Sequence, residues 1–307
     1  MVRVDRCATI ILVAALFLGA PSSPRAQDME PRAYSNAPVG LNFLIAGYAY
    51  TRGGLASGTS VPVTNPQLTT SSAVLAYARV LDFWGKSAKL NVIVPFTGLT
   101  GTAERAGQTV PRDVSGFADP LFKLSVNLYG APALSLKEFA SYRQDVIVGA
   151  SLQVTTPLGQ YDNSKLINLG TNRWSFKPEL GISKALGPWT MEIMPSVTFY
   201  TDNTDFNNGS RLEQAPLYTV QGHIIYSFRS GMWLGLNGIY YTGGRTTVNG
   251  VKGENMQTNT RSGLTLALPV DRYNSVKLYA STGTSTRTGS DLNAGGVAWQ
   301  YRWGGGY

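Results

Sequence analysis

Between Arg173 and Tyr200 the chain reads RWSFKPELGISKALGPWTMEIMPSVTFY. Up to Ile182 every second residue is bulky and mostly apolar: Trp174, Phe176, Pro178, Leu180 and Ile182. Arg173, Lys177, Glu179 and Ser183 fall on the other parity. The alternation resumes after Pro188, with Trp189, Met191, Ile193, Pro195 and Val197 against Thr190, Glu192, Met194, Ser196 and Thr198. Successive side chains of a strand point to opposite faces, so each half has one oily and one polar face. Ala-Leu-Gly-Pro between the halves leaves room only for a hairpin turn. A soluble sheet with its oily face in a core has the same period. Charges in mid-strand and a Trp at each end of the oily run favour the inverse arrangement, oily face to lipid and charged face to water. Pro178 and Pro195 each remove a ladder donor, and a symmetric hairpin sets them opposite each other.

Only 14% of the 307 residues are charged, against roughly a quarter in soluble chains. A lipid-facing surface excludes charge, so a membrane barrel shows this deficit. No run reaches the roughly 18 apolar residues of a spanning helix, and mean hydropathy is −0.07. Barrels escape both tests because only alternate residues meet lipid. Residues 1–26 have the layout of an export signal: Arg3 and Arg6, an apolar core from Ala8 to Ala20, and Ala26 as a small residue for cleavage. The only cysteine, Cys7, lies in this leader, so the exported chain forms no disulfide. The formal charge is +8, but an exported chain with no basic run is a poor partner for nucleic acid. Lipopolysaccharide head groups and anionic solutes are more natural partners.

After the leader, residues 27–38 read as a polar periplasmic lead-in and 39–307 as one barrel. Twelve strands are predicted: Val39 to Tyr50, Thr70 to Leu81, Ser87 to Phe96, Asp119 to Tyr129, Gln144 to Thr156, the two halves of the hairpin, Pro216 to Phe228, Met232 to Thr242, Met256 to Leu268, Ser275 to Thr282 and Asn293 to Trp303. Connections after odd strands are long and polar. Those after even strands are tight, apart from Gly130 to Ser141. Outer-membrane barrels alternate in this way, with short periplasmic turns and longer outside loops. The sheet must close, because an open edge in lipid strands unpaired amides. Ala294, Gly296, Trp299 and Tyr301 approximate the final-strand pattern read by the barrel-insertion machinery.

Parity puts Arg79, Lys89, Lys123, Arg173, Lys177, Arg229, Arg261, Lys277 and Arg302 on the polar face, together with Asp119, Asp145, Glu179 and Glu192. Two readings of that face stay open. One is a positively biased lumen that favours anions or polarised aromatics. The other is a narrow interior braced by ion pairs and essentially closed. His223, the only histidine, falls inward with Thr219 and Gln221 and reads as a lumen hydrogen-bonding group. A hydrolase would pair it with a serine, yet nothing marks a nucleophile. No cofactor or metal is expected, since there is no second His and no exported Cys. Asp202-Asn-Thr-Asp205 has oxygen ligands for a cation but reads as a solvated loop. Tyr48, Tyr50, Tyr77, Tyr240 and Tyr241 read either as girdle anchors, the assignment for most of them, or as stacking surfaces along an aromatic-solute path.

AYSNAPVGLNFLIAGYAYTRGG (33–54), GFADP (116–120), NLYGAPAL (127–134), TPLGQYD (156–162) and YYTGGRTTVNG (240–250) resemble a proteobacterial family of outer-membrane proteins associated with the meta-cleavage pathway of phenol degradation. The resemblance spans essentially all of the exported chain. It implies an outer-membrane barrel and uptake of aromatic or other small hydrophobic compounds, and it transfers no site motif. The expected protein is a single twelve-stranded antiparallel barrel for passive transport. The alternatives are an outer-membrane lipid or peptide hydrolase and a non-conducting structural or adhesive barrel.

Overall fold

A computed structural model describes residues 29–54, 64–105, 107–286 and 292–306. The expected export signal lies outside them. In chain order the strands are Leu41–Gly54 (β1), Thr64–Phe83 (β2), Lys86–Arg105 (β3), Gln108–Phe117 (β4), Leu121–Tyr129 (β5), Val146–Thr155 (β6), Ser175–Leu186 (β7), Trp189–Tyr200 (β8), Asn203–Phe206 (β9), Ser210–Gln214 (β10), Leu217–Ser227 (β11), Trp233–Gly243 (β12), Thr246–Val248 (β13), Val251–Lys252 (β14), Gln257–Pro269 (β15), Asn274–Thr286 (β16) and Leu292–Gly304 (β17). One short helix, Leu136–Phe139 (α1), sits in the connection predicted to be irregular. Ser135 starts it through a capping box with Glu138.

The barrel closes where β17 pairs with β1, from Leu41 opposite Gly304 to Gly53 opposite Leu292. Around the wall run β1, β2, β3, β5, β6, β7, β8, β11, β12, β15, β16 and β17, each antiparallel to its neighbours. β4 continues the line of β5: both pair with β3, β5 along Ala88–Ile93 and β4 along Phe96–Arg105. The described residues therefore form twelve staves, as the sequence predicts. The stretch from Thr97 to Gly116, expected as a loop, is instead the far end of the β3–β4 hairpin. Its outward positions, among them Thr100, Thr102, Glu104 and Asp113, are polar because they project past the lipid, while Leu99 and Ala103 are buried on the inner face. The expected loops 201–214 and 243–255 also contain strand. There β9, β10, β13 and β14 form a separate four-stranded sheet over the long-loop end.

The predicted hairpin is β7–β8. Its bulky apolar series, including Leu180, Ile182, Met191 and Ile193, is exposed on the outer surface. Glu179, Ser183 and Glu192 are buried inside. Gly187, with φ 62, takes the first central place of the turn between Leu186 and Trp189. Type II′ turns reserve that place for glycine. Pro178 and Pro195 do not face each other. Glu179 lies opposite Ser196, which offsets the two prolines, and Pro178 stands against Leu152 while Pro195 stands against Val220.

Aromatic rings mark both rims. On the short-turn side Tyr226 packs edge-on against Trp189 and Phe228, with ring centroids 4.8 Å apart in each pair. Trp299, Tyr301 and Trp303 stack along β17. Tyr48, Tyr50 and Tyr240 face outward as expected, but Tyr241 points inward and is buried with Leu217 and Ile239. The turn before β16 is held by Asp271, whose carboxylate accepts the backbone N–H groups of Tyr273 and Asn274. These bonds hold its carboxyl below the usual carboxylate range.

Candidate functional site

Strand alternation brings the polar residues of the staves together in the interior. A segment from outside the barrel wall fills part of that space. Residues 29–38, expected as a periplasmic lead-in, run inside the barrel. The physical reason is charge and hydrogen-bond matching that no local pattern displays. Glu30 Oε2 is 2.6 Å from Lys123 Nζ, and the Glu30 N–H donates to Gln221 Oε1 at 3.3 Å. The Arg32 N–H donates to Glu192 Oε2 at 2.7 Å. Lys89 Nζ donates to the carbonyls of Ala33 and Ser35 at 2.6 and 3.2 Å. The segment thus meets β3, β5, β8 and β11 through Glu30, Arg32, Ala33 and Ser35.

At its centre is Tyr34, 1% exposed. Its hydroxyl lies 3.1 Å from Glu179 Oε1, to which it donates, and 3.2 Å from Ser151 Oγ. Its ring rests on Gly149 and Gly181, which face each other across the β6–β7 ladder. A Cβ at Gly149 would come within 2.2 Å of Tyr34 Cδ1, and one at Gly181 within 2.0 Å of Cε2. Ile147, Met194 and Ala131 complete the packing. Glu179 is also held by Lys123 at 3.3 Å and Lys177 at 3.7 Å, so two ammonium groups share one buried carboxylate.

The other polar side chains predicted for the inner face divide into interior, rim and exterior positions. His223 is buried, with Nδ1 2.8 Å from Asn237 Oδ1, and Asn237 donates in turn to Thr265 Oγ1 at 2.9 Å. Arg261 is buried and donates to Ser281 Oγ at 2.9 Å. Lys277 shares the face of Trp233, its Nζ 5.9 Å from the ring centroid, with the Arg32 guanidinium 5.6 Å from the same ring. Arg173 lies above the start of β7, donating to Gln214 and stacked 4.6 Å from the centroid of Tyr200. Arg302 is at the turn-side rim, where Nε donates to the Arg272 carbonyl at 2.8 Å.

Two residues lie elsewhere. Arg79 is exposed and shares the outer face with Leu75, opposite Leu90 of β3. Small Ala76 and Ala78 take the inner positions of β2, so residue size, and not polarity, sets its phase. Arg229 is exposed in the turn between β11 and β12. Of the inward carboxylates, Asp119 instead ties down an outer loop, accepting from the N–H groups of Gly159 and Thr171 and from the Thr171 hydroxyl. Asp145 pairs with exposed Lys184. In the Asp202–Asp205 loop, Asp202 pairs with Arg211 and Asp205 accepts from Asn163.

Sequence reasoning missed Glu30, Arg32, Tyr34 and Ser151 as one cluster. The available signal was a glycine at the inward parity of each of two adjacent strands, which leaves a hole that some other residue must fill.

A closed barrel with an apolar exterior, aromatic rims and a polar interior crossed by its own N-terminal segment is a bacterial outer-membrane β-barrel. The chain belongs to the family described as "Putative MetA-pathway of phenol degradation", whose model matches residues 51–301. No curated protein matches it. Among solved structures it is similar to an outer membrane channel of Pseudomonas putida F1, with 20% identity, a TM-score of 0.77, and coverage of 90% of this chain and 100% of that one. The β-domain of the Bordetella autotransporter BrkA aligns with 8% identity and a TM-score of 0.52, over 85% of this chain and 99% of that one.

Proposed function

We propose that the protein lets small aromatic or otherwise hydrophobic molecules cross the outer membrane passively through its lumen, and that it is not an enzyme. The single observation behind this reading is a polar interior within a closed wall, in a chain of a phenol-degradation family. The segment 29–38 lies against the charged side formed by β3, β5, β7 and β8. Across from β8, around the β1–β17 seam, the inward parity carries small residues, Gly47, Ala49 and Ala298, which leave width for a solute. Inward-facing Arg32, Lys89, Lys123, Lys177, Arg261 and Lys277 outnumber Glu30, Glu179 and Glu192, so the path favours anions and electron-rich rings over cations.

The hydrolase reading has less support, since the His223 ring is engaged by an amide and not by a serine. The adhesive reading rests on the four-stranded sheet over the long loops. Outer-membrane lipid surrounds the wall. Lipopolysaccharide at the outer rim and the insertion machinery at β17 are the further partners this reading includes. Growth on a panel of dilute carbon sources, with and without the protein, tests it. An advantage confined to aromatic sources is expected, and equal growth on all of them overturns it.

A further inference from the structure

The hole that Tyr34 fills is built by the staves. Its floor is the facing pair Gly149 and Gly181, its walls are Ile147 and Met194, and its polar end is Ser151 Oγ and Glu179 Oε1. None of these six residues belongs to the inserted segment. The occupant is a phenol group on a tether. The tether has its own anchors, Glu30 to Lys123, Arg32 to Glu192 and Lys89 to two carbonyls, so the segment stays attached to the wall without the ring. Glycine in a strand interior weakens the strand. Two of them face to face, beside two oxygen atoms spaced for one hydroxyl, define a flat slot with a polar end.

We propose that this slot is a binding site for free phenols, held in the resting protein by Tyr34 as an intramolecular substitute. The inference rests on the aromatic-passage reading above and names a site for it. A phenol entering the lumen competes with the tyrosine ring, takes the same two hydrogen-bond partners, and leaves the ring free to swing aside. Even a flexible tether presents its ring at an effective concentration on the order of millimolar, and this one is pinned on both sides of the ring, so phenol displaces it only above that range. An arene without a hydroxyl has nothing to offer the polar end and leaves Glu179 with one partner fewer. Such sites reject the analogue that lacks the hydroxyl.

The experiment is equilibrium dialysis of radiolabelled phenol and toluene against the refolded full-length protein in detergent, with heat-modifiable gel migration as the check on folding. Tyr34→Ala is expected to bind one phenol per barrel, at least about tenfold tighter than toluene and at least about tenfold tighter than the unaltered protein binds phenol. Adding Ser151→Ala reduces the preference over toluene without abolishing it, because Glu179 Oε1 still accepts from the hydroxyl, and adding Gly181→Ala removes binding. If Tyr34→Ala does not fold, Tyr34→Phe keeps the packing and gives up the hydroxyl, and phenol must then bind several-fold tighter than to the unaltered protein. Non-saturable uptake, equal affinity for toluene, or indifference to Gly181→Ala overturns the site. Phenol entry into proteoliposomes of the unaltered protein separates the two claims. Entry without saturable binding sinks the slot alone, and binding without entry sinks the passage reading while the slot stands.

Discussion

Lys123 on β5 and Glu30 on the inserted segment form a 2.6 Å ion pair inside the barrel, and the same ammonium reaches Glu179 on β7 at 3.3 Å. One side chain thereby joins the segment to two parts of the wall. Lys123→Met leaves Glu179, which is 1% exposed, without its nearer cation. Breaking a fully buried pair costs ~3–5 kcal/mol. Lys177 stays near Glu179 and Glu30 is partly wet, so a loss of about 2 kcal/mol is expected. Urea unfolding in detergent measures it, and Lys123→Met combined with Glu30→Gln is expected to lose less than the sum of the two single changes.

Gly181→Ala puts a methyl group where Tyr34 Cε2 now lies. Overpacking of this kind costs about 1–3 kcal/mol. The less rigid partner yields, which is the tethered ring and not the ladder. Residues 29–38 keep their anchors to Lys123, Glu192 and Lys89 and stay resistant to limited proteolysis, whereas the displaced Tyr34 ring becomes open to nitration, read at that residue by mass spectrometry, where the ring of the unaltered protein is protected. Adding Tyr34→Ala relieves the clash and recovers most of the lost stability.

Removing residues 29–38 widens the lumen. Single-channel recording in planar bilayers is expected to show a conductance several-fold above that of the intact protein. Equal conductance would mean that the constriction lies elsewhere in the lumen.

Charge preference follows which face a cation occupies. Lys277→Glu, beside Trp233 and Arg32 in the lumen, shifts the reversal potential in a salt gradient toward cation preference. Arg79→Gln, on the outer face, leaves the reversal potential unchanged. Equal effects of the two changes would contradict the assigned faces.

Asp119→Ala removes an acceptor from three donors, the Gly159 and Thr171 N–H groups and the Thr171 hydroxyl. Each donor left without a partner costs about 1–3 kcal/mol unless water reaches it. The loop between β6 and β7 is expected to open to protease added to intact cells, with the staves undisturbed by circular dichroism.

Local order explains what could be read without coordinates. A period of two over Trp174–Ile182 and Trp189–Val197 names a strand and its two faces. Gly187 names the turn, and the run of tight and long connections names a barrel. Each signal lies within a dozen residues, where side-chain direction follows directly from backbone geometry. In β2 the rule misled, because alanine is neutral about its environment and Arg79 near the rim can reach polar groups from the outer face. The inserted segment shows no period at all. Its place depends on Glu30, Arg32 and Tyr34 meeting Lys123, Glu192 and Glu179, residues roughly a hundred or more positions away. Only the register of β6 against β7 brings Gly149 and Gly181 together to make room for the ring. A chain reveals the direction of each side chain locally, whereas the partner it meets is settled only when the staves close.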